Sequence, residues 1–185
     1  MALTKTPVCD FGKKAEDFKL KSINNKVISL NDIKGEKATL IMFICNHCPY
    51  VKAIIKDLAK DCNELKKDGI NSVAIMSNDT KNYPEDSFEN MIKFADTNNF
   101  GEINYLFDET QAIAKKYGAV CTPDFFGYNN DLSLQYRGRF KELKDLKPIN
   151  NGDSDLKIAM KMVAQTQKGP DEQIPSMGCN IKWFS

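Results

Sequence analysis

The sequence predicts an α/β fold, and two observations carry that expectation. The stretch Ala38-Thr39-Leu40-Ile41-Met42-Phe43-Ile44 is continuously apolar and partly β-branched, as in a strand covered on both faces. From Val51 the apolar period becomes helical through Ile54, Ile55, Leu58, Cys62 and Leu65, Gly69 ends that helix, and residues 70–76 form a second buried strand. Residues 38–76 therefore read as a β-α-β unit, which implies a parallel strand pair and a right-handed crossover.

Composition narrows the class. The 185 residues suit one domain spanning 1–185, and 42% hydrophobic content is enough to bury a core. Charged residues make up 28% of the chain but cancel to a formal +1, and Arg137 and Arg139 are the only arginines. Nothing in that balance favours a nucleic acid or an anionic membrane as partner. No apolar run approaches the ~20 residues of a membrane span. The opening Met1-Ala2-Leu3-Thr4-Lys5-Thr6-Pro7 has no apolar signal core, and a cytoplasmic protein is expected. The six cysteines, at 9, 45, 48, 62, 121 and 179, are irregularly spaced in a chain large enough to fold without staples. They read as a few working thiols in a reducing compartment.

The remaining elements follow in chain order. Residues 1–15 form an N-terminal arm. Phe18 to Lys21 and Lys26 to Leu30 alternate as two short strands, with Asn24-Asn25 as hairpin chemistry between them. After the polar loop 77–84, residues 85–97 are predicted helical, with Phe88, Met91, Ile92 and Ala95 inward. Tyr105-Leu106-Phe107 is too short to classify by pattern. Residues 109–117 read as a helix stopped by Gly118. Two strand-like runs, 125–128 and 132–136, flank the turn residues Asn129-Asn130-Asp131. A last helix covers 153–167, capped near Ser154 or Asp155 and stopped by Gly169-Pro170. The tail, 168–185, has no clear period; Trp183 and Phe184 are expected to anchor it on the body.

Cys45-Asn46-His47-Cys48 sits where the buried strand hands over to the amphipathic helix. Two thiols three apart at a helix start can close a disulfide without large backbone motion. The unpaired N–H groups and the positive dipole end of the helix stabilise a thiolate, and such sites lower a thiol pKa from ~8.5 into the range of about 3.5–7.5. His47, the single histidine, lies between the cysteines, where an imidazolium adds to that stabilisation. The competing reading of a C-x-x-C is half a zinc site, but no second C-x-x-C or histidine pair supplies the other ligands. Redox chemistry is the preferred reading. Pro49 leaves the register open. If Cys45 caps the helix, Pro49 loosens the first turn; if Cys48 caps it, Pro49 takes the favoured first helical position and Cys48 feels the strongest helix-end field.

Cys121-Thr122-Pro123 is the second element. Thr122-Pro123 is a candidate cis bond. Opposite a dithiol, it would offer the Thr122 backbone for strand-like pairing with an extended substrate.

Taken together, the β-α-β unit with C-x-x-C, the later Thr-Pro, the hairpin and the final helix resemble the thioredoxin superfamily. Phe43-Ile44-Cys45-Asn46-His47-Cys48-Pro49-Tyr50-Val51, Cys121-Thr122-Pro123-Asp124-Phe125-Phe126 and Gly178-Cys179-Asn180-Ile181-Lys182-Trp183 resemble its peroxiredoxin-like redoxin branch, related to the alkyl hydroperoxide reductase and thiol-specific antioxidant group. The resemblance covers nearly the whole chain. It implies a thioredoxin-like fold, with a central mixed sheet flanked by helices and a cis-Pro123. In thioredoxin-type chemistry it assigns Cys45 as exposed nucleophile and Cys48 as resolving thiol. In peroxiredoxins the peroxide-attacking cysteine corresponds to Cys48, with a threonine three residues earlier and an arginine downstream. Here Cys45 occupies the threonine position, and neither arginine can be assigned from sequence.

The reading is thus a thiol–disulfide oxidoreductase working through Cys45 and Cys48, tuned by His47, with Thr122 and Pro123 binding substrate. Its partners would be a disulfide-containing protein or small molecule and an external thiol donor, thioredoxin-like or glutathione. No cofactor is expected, since no glycine fingerprint for a dinucleotide occurs. The alternatives are a peroxidase using Cys48 and a copper or zinc module built on Cys45, Cys48 and Cys121. Cys121 reads first as a packed small hydrophobe and otherwise as an extra resolving thiol or metal ligand. Cys179 reads as a buried structural cysteine or a second resolving thiol. Cys62 is packed on the helix stripe, and Cys9 is incidental.

Overall fold

The computed structural model describes residues 2–7 and 10–185; Cys9 lies outside the described residues. In chain order the elements are β1 (Leu3–Lys5), β2 (Lys19–Ser22), β3 (Val27–Ser29), α1 (Leu30–Ile33), β4 (Ala38–Phe43), α2 (Pro49–Lys66) and β5 (Ile70–Met76). There follow α3 (Phe88–Thr97), β6 (Asn104–Phe107), α4 (Ala112–Tyr117), β7 (Cys121–Thr122), β8 (Asp124–Asn129) and β9 (Leu134–Tyr136). The chain ends with β10 (Leu143–Lys144), β11 (Lys147–Pro148), α5 (Asp155–Thr166) and β12 (Met177–Asn180).

The main sheet runs β3-β2-β6-β5-β4-β8-β9. β4 pairs in parallel with β5, and β5 with β6, whereas β8 lies antiparallel to β4. This is the expected β-α-β unit inside a mixed sheet. β4 reads as unbroken apolar sequence because both its faces are covered. Leu40 and Met42 pack with Ile54, Leu58 and Met160 on one side. Ile41 and Phe43 pack with Ile33, Ile113 and Tyr117 on the other. The N-terminal hairpin forms between β2 and β3, with Asn25 at φ 64° in the turn.

Three elements depart from the sequence reading. The helix predicted at 85–97 is a short 3-10 turn, Pro84–Asp86, followed by α3. Ser87 adopts an extended conformation and caps α3 through the Asn90 amide, which ends the first turn and points Asp86 inward. The helix predicted from 109 starts only at Ala112, because Gln111 is left-handed (φ 62°) and its side chain donates to the Ser77 and Lys182 carbonyls. Asp108 takes over the capping, accepting from the Ile113 and Ala114 amides. The tail is the largest departure. Residues that show no period form β12, the middle strand of a second sheet ordered β1-β12-β7. That strand also gives the N-terminal arm a partner in β1.

Leu40 is fully buried at the centre of β4. Leu40→Ala is expected to lower unfolding free energy by about 2–5 kcal/mol, measured by urea denaturation.

Candidate functional site: a three-thiol cluster at the start of α2

β4 ends at Phe43, and the chain turns through Cys45-Asn46-His47 before α2 begins. Cys48 is the N-cap residue and Pro49 the first helical residue. Of the two registers open in sequence, the second therefore holds, and Cys48 receives the helix-end field.

The turn is held by a residue that sequence reasoning missed. Asp86, fully buried, accepts from the Asn46 amide (2.7 Å) and the His47 amide (3.3 Å) with Oδ1. Its Oδ2 meets His47 Nδ1 (2.7 Å) and accepts from the Asn78 side-chain amide (2.8 Å). Asn46 is fixed further by the Glu85 carbonyl, to which it donates, and by the Tyr105 hydroxyl, which donates to it. The imidazole of His47 stacks on Tyr83 with ring centroids 5.5 Å apart. The hydrogen bond to Asp86 raises the His47 pKa, against the opposing effect of burial.

Cys48 Sγ lies 2.9 Å from Cys179 Sγ and 3.2 Å from the Thr122 carbonyl oxygen. Cys45 Sγ lies 3.3 Å from Thr122 Oγ1. The bond from the Cys45 thiol draws the Cys48 pKa down to about 5. Burial opposes this, while the Cys179 thiol and the Val51 and Cys179 amides reinforce it. The Cys48 side chain makes no capping bond to α2, and the neighbouring Cys45 thiol is the largest influence. The same interaction pushes Cys45 well above the ordinary thiol range, with burial and the Asp86 charge acting in the same direction. Burial and the bond to Cys48 push Cys179 up to about 12. One sulfur in the cluster is acidic, and two are kept protonated beside it.

The peptide bond Thr122-Pro123 is cis. The open Thr122 edge expected from sequence is corrected, because β12 occupies it, pairing Cys179 with Thr122 and Asn180 with Cys121. Gly178 permits the close approach: a Cβ there would lie 2.1 Å from the Thr122 carbonyl oxygen. Ser176 Oγ donates to the Pro123 carbonyl (2.8 Å), and Lys182 bonds to Asn78, Asp79 and Gln111. An exposed Cys45 is corrected too. Cys45 is 1%, Cys48 0% and Cys179 5% exposed, because the tail closes over the dithiol.

Cys121 is buried with its sulfur toward the Pro123 carbonyl, and burial raises its pKa. Cys62 is buried near Met42. Among the described residues, the potential metal ligands within 4.8 Å of one another are Cys45, His47 and Asp86; the set Cys45, Cys48 and Cys121 is not assembled. In that trio the Asp86 carboxylate is already bonded to four nitrogens, including the His47 ring nitrogen that would itself be a ligand. Both arginines are held by carboxylates. Arg137 pairs with buried Asp124 (3.1 Å) and stacks over Phe126, and Arg139 pairs with Asp155 and Glu142.

Residues 11–140 match the AhpC/TSA family. The chain belongs to that family. Two solved structures are similar over essentially the whole length. One is an uncharacterized conserved protein from Geobacillus kaustophilus, at 40% identity and TM-score 0.89, covering 100% of this chain and 97% of that one. The other is a hypothetical protein from Sinorhizobium meliloti, at 36% identity and TM-score 0.90, covering 98% and 99%. A peroxidoxin from Mycobacterium tuberculosis shares the fold at 16% identity and TM-score 0.55, covering 67% of this chain and 81% of that one. A comparison with curated proteins gave no match. The protein is thus a thioredoxin-like redoxin of the AhpC/TSA family. Among its described residues, no helix is long and apolar enough to cross a membrane.

His47 is the only histidine, so its titration is resolved in a proton NMR spectrum. Its midpoint is expected above the ordinary ~6.5 and should fall to or below that value in Asp86→Asn. Because the folded-state value is raised, the His47–Asp86 pair stabilises the fold fully below pH ~6.5 and loses that contribution as pH rises through the folded-state midpoint. A stability-against-pH series on both proteins checks the sign. Gly178→Ala should push β12 off Thr122. A loosening of ~1.4 kcal/mol would speed iodoacetamide labelling of Cys48 about tenfold, read by mass spectrometry.

Proposed function

We propose that the protein is a thiol–disulfide oxidoreductase whose Cys45/Cys48 pair cycles between dithiol and disulfide, with Cys48 as the attacking thiolate. The observation that carries this reading is the position of Cys48 at the N-cap of α2, beside a Cys45 thiol that lowers its pKa to about 5. This reverses the roles expected by analogy with thioredoxin. The thiolate is the attacking species, and Cys48 is the thiol whose pKa is lowered and which stands at the helix N-cap, whereas that of Cys45 is raised.

The steps balance as follows. The Cys48 thiolate attacks one sulfur of a substrate disulfide, forming a mixed disulfide and expelling one substrate thiolate. With Cys48 no longer charged, the main influence holding the Cys45 proton is gone, and that proton passes to the departing thiolate. Cys45 then attacks Cys48 Sγ and expels the second substrate thiolate, which is protonated from solvent. One substrate disulfide becomes two thiols, and an external thiol donor regenerates the dithiol. His47 and Asp86 act as positioning residues, because Asp86 holds the Asn46 and His47 amides that set the Cys45–Cys48 separation. A cavity of about 470 Å³ lined by Tyr50, Ile54, Pro123, Phe140, Ile174 and Met177 takes in the cis proline and the first turn of α2, and is the proposed approach for a reactant.

A peroxidase working through Cys48 is the second reading, favoured by its acidic thiol followed by Pro49. Against it, no arginine attends the sulfur and Cys45 replaces the threonine hydroxyl. In an insulin-reduction assay Cys48→Ser is expected to fall to background, whereas Cys45→Ser keeps the attack on the substrate disulfide. Stopped-flow oxidation by hydrogen peroxide, fast in Cys45→Ser and absent in Cys48→Ser, together with no insulin reduction by the unaltered protein, would replace the oxidoreductase reading by the peroxidase.

A further inference from the structure

The sulfur in contact with Cys48 across the chain is Cys179, on a strand that fills the groove beside the cis proline. We propose that Cys179 is a third redox thiol, which closes an intramolecular disulfide with Cys48 while β12 occupies the place of a substrate strand. This rests on the oxidoreductase reading above and extends it to a residue outside the C-x-x-C.

Three observations carry it. The sulfurs are 2.9 Å apart, so reaching a bond of about 2.05 Å takes less than ~1 Å of movement. The partner strand is built to be there. β12 is hydrogen-bonded to β7 on one side and β1 on the other, and Gly178 leaves room for the Thr122 carbonyl where any side chain would collide. Cys179 also lies opposite Thr122, so it meets Cys48 as a cysteine on an incoming antiparallel strand would.

The chemistry is two exchanges. The Cys48 thiolate attacks a substrate disulfide, releases one thiolate and carries the mixed disulfide. Cys179 gives its proton to that thiolate, attacks Cys48 Sγ and expels the second substrate thiolate, which is protonated from solvent. The product is Cys48–Cys179, with one substrate disulfide reduced to two thiols. Attack by Cys45 on Cys48 Sγ then moves the bond to Cys45–Cys48 and frees Cys179, with no net change in electrons. In the reverse sense an external thiol attacks Cys179, the most exposed of the three residues, and expels Cys48, whose acidity makes it the best leaving group; a second external thiol then attacks the mixed disulfide, frees Cys179 as a thiol and leaves as the donor's disulfide. Electrons thereby reach a dithiol that is itself sealed.

The test uses full-length Cys45→Ser, reduced and then treated with one equivalent of bis(2-hydroxyethyl) disulfide. Free thiols are alkylated and the protein is digested with trypsin. Cleavage places Cys48 in peptide 38–52 and Cys179 in peptide 169–182, so their bond is read as a cross-link between two peptides. Most of the Cys48 is expected in that cross-link. With Cys179→Ser added, the cross-link is lost and Cys48 accumulates the hydroxyethyl adduct instead. A lasting adduct on Cys48 in Cys45→Ser, with Cys179 fully alkylated, would overturn the proposal. The same mapping on Cys45→Ala guards against a folding defect peculiar to serine. Failure of the underlying reading looks different: oxidised unaltered protein would then show no uncross-linked 38–52 peptide lighter by two hydrogens.

Discussion

The buried carboxylate of Asp86 organises the site. It receives two backbone amides of the turn between the cysteines, the His47 ring and the Asn78 side chain, with no exposure to water. A buried charge is tolerable only when hydrogen-bonded to this extent. Those bonds fix the path of Asn46 and His47, and so bring two sulfurs together at the mouth of α2. The negative charge also acts unequally. It raises Cys45 and His47, whereas Cys48 is governed by the thiols and amides that donate to it. The two thiols of the C-x-x-C are driven apart chiefly by their own interaction, with burial and this charge adding to the rise at Cys45.

The second constraint is closure. Burial ordinarily raises a thiol pKa, as it does at Cys62 and Cys121. Cys48 escapes because the Cys45 thiol, and after it the Cys179 thiol and the Val51 and Cys179 amides, favour its thiolate, and one of those thiols and one of those amides belong to the tail strand. The strand that hides Cys48 from water therefore also helps to ionise it. The anchoring of residues 176–184 to Pro123, Asn78, Asp79 and Gln111 makes this cover part of the fold.

Much of the framework was legible in the sequence. The apolar run of β4, the helical stripe of α2 and the second apolar run of β5 follow from periodicity, since their two faces are buried by neighbours that any such unit recruits. The C-x-x-C, its histidine, Thr122-Pro123 and the Cys179 motif were also visible. Asp86 was not: it is one acid among 25 Asp and Glu residues, and nothing local marks it as inward-facing. Residues 177–180 carried no strand signal either. A two-faced strand of Met-Gly-Cys-Asn has no apolar alternation, and Gly178 is there for proximity to Thr122 rather than for propensity. The β10–β11 hairpin escaped as well, its turn being made by Asp145 and Leu146 at positive φ without a glycine.

The sequence by itself determined the α/β framework and the placing of two cysteines at a strand-to-helix junction, because these depend on spacing within one short stretch. Only the tertiary structure decided which cysteine caps the helix, that the Thr122 edge is filled, and that the sulfur nearest Cys48 across the chain is Cys179. Each of those depends on groups brought together across dozens of residues. A hydrogen bond or a sulfur contact acts over about 3 Å, a distance on which separation along the chain has no bearing.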